Sequence, residues 1–314
     1  FNDVLIGDGG ANTLTGRGDG DVLDGGEGFD YASYATASFG LTASLAAPAT
    51  NTGDAAGDAY VSIEGLIGSA FADVLIGNYQ VNELKGGGGD DTLRGGLGAD
   101  RLTGGTGNDI FEGTLAELSG DLILDYQEGD RIVILDLPAG ALFTLTKGST
   151  IISVDVNRDG VADAVFTLST DLDALTSSGL QFVVSQSKAG SVLEFRHSLV
   201  SIQAGASGLP EGNTGHVTHT FTVNLDIAPV STQTVSWSVA GVGDSPADAA
   251  DFGGILPSGT LTFTASETSK TITVDVTGDV SVEPDESFAV TLSNPSSGLA
   301  LGASASAATM ILND

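Results

Sequence analysis

The sequence has no cysteine, one methionine, one tryptophan and only 10 lysine and arginine residues against 41 aspartate and glutamate residues. Without cysteine, neither disulfides nor thiolate metal sites can hold the fold. The scarcity of basic residues argues against a nucleic-acid partner, because phosphate neutralisation needs stripes of lysine and arginine. No run approaches about 18 apolar residues and there is no basic amphipathic helix, so membrane insertion is not expected.

Motifs for catalysis are also missing. The three histidines, His197, His216 and His219, do not form the helical His-Glu-x-x-His motif of a zinc protease. There is no Gly-x-Ser-x-Gly elbow and no glycine-rich loop of the phosphate-binding type. The many Gly-x-Gly strings are not a dinucleotide fingerprint, because no βαβ pattern surrounds them. The sequence therefore predicts a chain that is not an enzyme.

The acidic excess gives a formal charge of -31, which opposes compaction through self-repulsion. Two carboxylates about 6 Å apart repel each other by roughly 3 kcal/mol at an effective dielectric of about 20. A divalent cation would remove this repulsion, and a solvated acidic surface that only keeps the protein soluble is the alternative. A hydrophobic content of 41% with few aromatics suits thin β cores in a modular chain.

What the sequence does contain is a nine-residue repeat. Its pattern is Gly-Gly-x-Gly-x-Asp-x-apolar-x, and it covers residues 7–33 and 77–112, with a partial unit before each block. Glycine at positions 1, 2 and 4 permits positive φ and close packing in a tight turn, so carbonyl oxygens can converge with the position-6 carboxylate on one hard cation. Position 8 is expected to point inward. Its residues are Leu5, Leu14, Leu23, Ala32, Leu75, Leu84, Leu93, Leu102 and Phe111.

The repeat resembles the RTX, or hemolysin-type, calcium-binding nonapeptide. The resemblance implies a parallel β-roll in which Ca²⁺ lies between turns, held by position-6 aspartates and turn carbonyls. The aspartates at that position are Asp3, Asp21, Asp30, Asp73, Asp91, Asp100 and Asp109. The glycines at positions 2 and 4 of the matching turns are Gly26, Gly28, Gly87, Gly89, Gly96, Gly98, Gly105 and Gly107. Asn12 and Asn82 carry a neutral amide at position 6, and Asp19 replaces a glycine, so those turns are poorer candidates.

The period lapses over residues 34–71 and is expected to return from Ala72, with short strands and a long loop between. The stretch IEGLIGSAFAD resembles one that leads into further RTX repeats, which implies one continuous solenoid with a lateral excursion. Residues 113–198 have fewer glycines, and DLILDYQEGDRIVI looks like the sequence that closes such rolls. A capping sheet suits a solenoid end, which otherwise exposes strand edges. We therefore expect a roll over residues 1–112 and a β-rich cap over residues 113–198.

Within the cap, the segment DVNRDGVAD places Asp155, Asn157, Asp159 and Asp163 around a glycine. This is similar to the first nine positions of an EF-hand loop, but Phe166 stands where a bidentate glutamate is wanted. A calcium loop in a β-hairpin, closed by Asp163, is therefore favoured over a helical EF-hand. An ordinary turn rich in aspartate and asparagine is the alternative.

Residues 199–314 are rich in threonine, serine and valine and carry several alternating strand patterns, which predict an Ig-like antiparallel β-sandwich. The expected core contains Phe221, Trp237, Val274 and Phe288. The stretches GTLTFTASETSKTITVDVTGDVSVEPDESFAVTLSNP and ILND resemble a Calx-beta domain.

The Calx-beta resemblance implies a second calcium site at one end of the sandwich. Its ligands would be Glu211, Asp251, Asp279, Glu283 and Asp314. Asp285 and Glu286 lie nearby but alternate in direction, so at most one of them is expected to face the ion. Weak occupancy or none is expected there, because this acidic cluster is thin.

These features predict an all-β, non-catalytic, calcium-binding structural or adhesive module of a secreted or cell-surface bacterial RTX protein that folds on extracellular calcium. The resemblance further implies type I secretion. Candidate partners besides calcium are other surface proteins, polysaccharide and copies of the chain itself. Two alternatives stay open: an accessory region of a secreted enzyme whose catalytic domain lies outside these residues, and a surface-layer or self-assembling subunit. Because the first residues already lie inside a repeat, an excised or processed segment is expected.

Overall fold

The computed structural model describes residues 1–138, 141–145, 149–169, 175, 180–187 and 190–312. Regular structure in these residues is almost entirely β-strand, as predicted. The chain divides into two compact units, one of residues 1–177 and 181–196 and one of residues 178–180 and 197–314. Within the described ranges, no helix combines the length and apolar character that a transmembrane span requires.

The first unit is a solenoid of short strands, and its described residues also contain two 3-10 turns, Pro48–Thr50 and Gly53–Ala55, and one short α-helix, α1, at Leu115–Leu118. Its strands are β1 Val4–Ile6, β2 Thr13–Leu14, β3 Val22–Asp24, β4 Tyr31–Ser33, β5 Thr42–Ser44, β6 Ala59–Val61, β7 Gly65–Ile67, β8 Val74–Asn78, β9 Glu83–Gly88, β10 Thr92–Gly96, β11 Arg101–Thr106, β12 Ile110–Gly113, β13 Leu122–Ile123, β14 Arg131–Ile134, β15 Leu142–Leu145, β16 Ile151–Asp155, β17 Ala164–Leu168, β18 Gln181–Gln186 and β19 Ser191–Arg196.

Successive repeats alternate between the two faces of a parallel roll. One face contains the sheet β15-β16-β17-β13-β11-β9-β7-β4-β2, and the other contains β18-β19-β14-β12-β10-β8-β5 and the separate sheet β1-β3-β6. Strands two repeats apart pair in register, so Leu84 lies opposite Leu102 and Leu75 opposite Leu93. The strands of the expected cap continue the same two sheets.

The predicted position-8 row forms the inside of the roll. Leu23, Ala32 and every position-8 residue from Leu75 to Phe111 are completely buried. Leu5 and Leu14, in the first turns of the stack, are half-buried. A row with one apolar residue per turn gives each turn little core of its own, so stacking between turns supplies the burial.

The repeat period resumes earlier than the sequence pattern predicted. Residues 53–61, GDAAGDAYV, form a degenerate nine-residue unit whose strand β6 pairs with β3, with Tyr60 opposite Leu23. The sequence pattern does not reveal this unit, because it keeps only its first glycine, its position-6 aspartate and an apolar position 8. The continuous solenoid with a lateral excursion is confirmed: β4, β7 and β9 pair in succession, while residues 35–52 leave the spiral and contribute β5 beside β8.

The second unit is a sandwich of two sheets, β25-β22-β20-β27 and β21-β28-β26-β23-β24. Its strands are β20 Ser198–Ala204, β21 Leu209–Pro210, β22 His216–Leu225, β23 Gln233–Gly241, β24 Ser258–Phe263, β25 Ser269–Thr277, β26 Glu286–Ser293, β27 Leu299–Leu301 and β28 Ser306–Leu312, with a 3-10 turn at Ala250–Phe252. The predicted core is confirmed: Phe221, Val274 and Phe288 are buried in one cluster, and Trp237 packs against it while half-buried.

Candidate calcium sites

Five position-6 carboxylates of the roll accept a hydrogen bond from the backbone of the turn 18 residues earlier. Asp91 Oδ1 accepts the N–H of Asp73 at 2.8 Å, and Asp109 Oδ1 accepts the N–H of Asp91 at 2.9 Å. Asp21, Asp30 and Asp100 make the same contact at 2.7, 2.6 and 2.8 Å. Because two nine-residue units return the chain to the same side of the roll, these carboxylates form one ladder along each side.

The second oxygen of most of these carboxylates is buried and has no hydrogen-bond partner among the described residues. These Oδ2 atoms belong to Asp21, Asp30, Asp91, Asp100, Asp109 and Asp121. Burial without compensation disfavours the charged form and raises the pKa of Asp91 to about 7 and that of Asp100 to about 6. A buried carboxylate in this condition is costly unless a cation or proton neutralises it.

The glycine turns bring backbone carbonyl oxygens close to the free Oδ2 atoms of these aspartates. A Cβ at Gly86 would lie 2.2 Å from Asp91 Oδ2 and 2.5 Å from Gly104 O, so a carboxylate and a carbonyl from the next turn converge on the space beside this glycine. The predicted positive φ is found at all eight position-2 and position-4 glycines, for example 106° at Gly105 and 141° at Gly107. Hard oxygen donors at this spacing suit Ca²⁺, which takes about six to eight such ligands.

Two of the predicted ladder aspartates do not present a buried free oxygen. Asp3 is exposed at the start of the stack. Asp73 Oδ2 accepts the N–H of Ser69 at 2.5 Å. The turn containing Asp19 still adopts the left-handed conformation, with φ of 70° at Arg17 and 77° at Asp19.

The asparagines at position 6 are satisfied by their own turns. Asn12 Oδ1 accepts the N–H of Asp8 at 2.8 Å, and Asn82 Oδ1 accepts the N–H of Asn78 at 2.7 Å. The oxygens of both amides are therefore already engaged in local hydrogen bonds.

Sequence reasoning missed four residues that occupy the ladder. Asp121 Oδ1 accepts the N–H of Asp100 and Asp130 Oδ1 that of Asp109, both at 2.9 Å and at a spacing of 21 residues instead of 18. Burial raises the pKa of Asp121 to about 8. Asp58 and Glu64 fill earlier slots, where they accept the N–H groups of Asp21 and Asp30. The signal that could have found Asp121 and Asp130 is an aspartate after a glycine and directly before a strand with an apolar residue two positions on, since the repeats also place their aspartate directly before a strand.

The acidic loop of residues 155–163 connects β16 and β17 as an antiparallel hairpin. Its side chains bond to backbone amides of the same loop: Asp155 accepts from Arg158 and Gly160, and Asp163 accepts from Val156. Asn157 and Asp159 each accept the N–H two residues further on. The carboxylates of this loop do not come together at metal-ligand spacing. In the described part of the chain, one group of carboxylates does, and it lies outside this loop.

That group lies in the sandwich and consists of Asp251, Glu283 and Glu286, whose ligand oxygens lie within 4.8 Å of one another. Burial and the neighbouring Asp251 carboxylate raise the pKa of Glu286 to about 7. Two of the five predicted ligands are therefore brought together, and Glu286 is the acid that joins them. Two other predicted ligands, Glu211 and Asp279, do not belong to the group.

The remaining predicted ligands of the sandwich have other positions. Glu211 is buried, and its backbone N–H donates to Leu312 O at 2.9 Å. Asp279 is exposed, and its Oδ1 accepts the N–H of Ser281 at 2.6 Å. Asp314 lies outside the described residues.

Comparison with known proteins agrees with this geometry. Residues 1–32, 66–93 and 85–115 match the family model "RTX calcium-binding nonapeptide repeat (4 copies)", and residues 216–314 match the model "Calx-beta domain". The comparison with curated proteins found no match.

Solved structures similar to the chain are domains of Calx. The apo-form Calx CBD1 domain is 24% identical, with 37% of this chain and 98% of that chain covered and a TM-score of 0.30. CBD12 from CALX1.2 is 24% identical, with 37% and 44% covered and a TM-score of 0.31. The Calx CBD2 domain is 16% identical, with 35% and 84% covered and a TM-score of 0.28. Two segments of the chain therefore match calcium-binding families, the RTX nonapeptide repeat within residues 1–115 and the Calx-beta domain at residues 216–314.

Proposed function

We propose that this chain is a structural or adhesive module of a secreted or cell-surface bacterial RTX protein, and that extracellular calcium folds its roll. The observation that carries the proposal is the ladder of six aspartates, each with a buried Oδ2 that has no hydrogen-bond partner among the described residues. In the absence of a cation these oxygens oppose folding, and a bound Ca²⁺ converts each of them into a ligand.

The residues proposed to hold Ca²⁺ in the roll are the ladder aspartates with free oxygens and the carbonyls of the adjacent glycine turns. Each carboxylate keeps one oxygen on the backbone of the earlier turn and offers the other to the ion. Calcium would therefore link the turns that the single apolar row holds only weakly. Residues 113–198 act in this proposal as the cap of the roll, and residues 199–314 as a spacer or contact surface.

Calcium-dependent folding also suits export. Calcium is scarce in the cytosol and reaches about millimolar levels around extracellular modules, so the roll would stay unfolded inside the cell and fold outside. A surface role with polysaccharide, another surface protein or a copy of the chain as partner follows from this. The accessory region of a secreted enzyme is the second candidate, since both matched families are calcium-binding modules that also suit such a position.

The test is far-UV circular dichroism of the full chain in calcium and in excess chelator, together with the number of bound ions measured by equilibrium dialysis. We expect loss of a large part of the β signal on chelation and its return on adding calcium, with magnesium as the control ion. An unchanged spectrum with no bound calcium would refute the proposal.

A further inference from the structure

The six aspartates with a buried, unpartnered Oδ2 fall into two separate clusters along the roll. The first cluster is Asp21 and Asp30, and the second is Asp91, Asp100, Asp109 and Asp121. Between the clusters, five residues occupy the positions of the ladder where the clusters have an aspartate with a free oxygen. We call these five residues the joint. The joint consists of Leu41, Asp58 and Asp73 on one side of the roll and Glu64 and Asn82 on the other.

The carboxylate of Asp58 shows how the joint differs from the clusters. Its Oδ1 accepts the N–H of Asp21 at 2.8 Å, which is the same kind of contact that the cluster aspartates make. Its Oδ2, however, accepts the hydroxyl hydrogen of Tyr34 at 2.7 Å. Tyr34 and Asp58 are both buried, so this bond lies away from solvent.

Tyr34 is itself held by a chain of donors from the lateral excursion. The hydroxyl oxygens of Tyr34 and Tyr60 lie 2.5 Å apart, and Asn51 Nδ2 donates to Tyr60 Oη at 2.9 Å. Each hydroxyl can therefore accept one hydrogen bond and donate one, in the order Asn51, Tyr60, Tyr34, Asp58. This network satisfies the oxygen that the clusters leave free.

The other members of the joint offer no free buried oxygen either. Leu41 carries no oxygen on its side chain and donates its N–H to Asp73 Oδ1 at 2.8 Å. Asp73 Oδ2 accepts from Ser69, and the Asn82 amide accepts from Asn78 while it donates to Glu64 O at 2.9 Å. Among the described residues, no side-chain oxygen of the joint is buried without a partner.

We propose that the joint binds no calcium and divides the roll into two clusters that bind calcium and fold separately, with Tyr34 as the residue that excludes the ion from Asp58. The inference rests on the proposed function. The clusters are nearest on the side of the roll where β4, β7, β9 and β11 pair in succession; from Asp30 to Asp100 the ladder takes three strand spacings, or about 14 Å at about 4.8 Å each. This distance exceeds the Debye length of about 8 Å at physiological salt, so screening reduces the effect of the charges of one cluster on the other.

The test is hydrogen–deuterium exchange of the full chain during a calcium titration, with Asp30→Asn and Asp100→Asn as a matched pair. Asparagine is tolerated at position 6, as Asn12 and Asn82 show. We expect Asp30→Asn to shift the calcium midpoint of peptides within residues 7–33 by about threefold or more and to leave residues 86–121 unchanged, and Asp100→Asn to do the reverse. A common shift of both regions in either variant would overturn the joint, and the absence of any calcium-dependent protection would overturn the proposed function as well.

A second variant tests the role of Tyr34 directly. Tyr34→Phe removes the hydroxyl that occupies Asp58 Oδ2 and leaves this oxygen open to a ligand, so the variant should bind about one more Ca²⁺ than the parent chain in equilibrium dialysis. Tyr79→Phe is the control, because Tyr79 is exposed. An equal number of bound ions in Tyr34→Phe, Tyr79→Phe and the parent chain would contradict the exclusion of calcium by Tyr34.

Discussion

The carboxylate of Asp109 contacts the backbone of Asp91 across two turns: its Oδ1 accepts the Asp91 N–H at 2.9 Å, and its Oδ2 is buried without a hydrogen-bond partner among the described residues. One oxygen therefore sets the register of the stack while the other is left for a ligand. The same division of roles recurs along the ladder, and it makes the calcium requirement of the roll testable residue by residue.

Replacing Asp91 or Asp100 by alanine should lower the calcium stoichiometry and the cooperativity of binding, because each change removes a free carboxylate oxygen. Asn82→Ala is the matched control, since its amide oxygen already accepts the N–H of Asn78. Isothermal titration calorimetry of the three variants measures the number of ions bound. Equal losses in all three would contradict the position-6 assignment.

Asp121→Asn should remove about one bound calcium although Asp121 lies beyond the last nonapeptide. Its Oδ2 is buried and free like those of the repeats, and burial raises the pKa of its carboxyl to about 8. Asp90→Asn serves as the control, because Asp90 is exposed and its Oδ1 accepts the N–H of Asn108. Equilibrium dialysis of both variants measures the number of bound calcium ions. An unchanged number in Asp121→Asn would mean that only aspartates within the nonapeptide repeats bind calcium.

Chelation should leave the sandwich folded while the roll loses structure. The sandwich has its own buried core around Phe221 and Phe288, and Trp237, the single tryptophan of the chain, packs against it. The emission maximum of Trp237 in excess chelator is therefore expected to match that in calcium. A shift to the emission of the denatured chain would show that the sandwich depends on calcium as strongly as the repeats do.

Glu286→Gln should weaken calcium binding to the sandwich, because Glu286 completes the only group of carboxylates at metal-ligand spacing in the described ranges. Asp285→Asn is the neighbouring control, since Asp285 is exposed and does not belong to that group. Amide chemical-shift changes of residues 248–252 during a calcium titration measure the effect. Similar weakening by both substitutions would speak against a specific role for Glu286.

The stability of the sandwich should fall as the pH drops below about 6.5, the ordinary pKa of histidine. His219 is buried against Phe288, and burial lowers the pKa of its imidazole, so the unfolded chain takes up a proton at a pH where the folded chain does not. The stabilisation is complete above pH 6.5 and is lost as the pH falls towards the folded-state pKa.

Urea unfolding of the full chain in saturating calcium, followed by Trp237 fluorescence at pH 7.5 and 5.5, measures this pH effect. His219→Gln should reduce the difference between the two midpoints, whereas His216→Gln should keep it, because His216 is exposed. An equal difference in both variants would place the origin of the pH dependence elsewhere.

The repeat pattern predicted the inward row, and its resemblance to the RTX nonapeptide predicted the roll. A nine-residue period puts the same residue type at the same place on alternate turns, so Leu84 and Leu102 had to meet in any regular stack. The alternating strands of the last third likewise predicted the sandwich core around Phe221 and Phe288, because a period of two separates the buried face from the exposed one.

Tertiary structure alone decided which carboxylates keep a free oxygen. Asp73 and Asp91 occupy the same repeat position, yet Asp73 accepts the N–H of Ser69 while the Oδ2 of Asp91 has no partner among the described residues. Asp58 and Asp121 join the ladder at spacings that break the nine-residue period. Glu286 comes close to Asp251 and Glu283 through the folding of the sandwich. Hydrogen bonding and desolvation depend on neighbours in space, and the repeat pattern alone does not record which neighbours each carboxylate has.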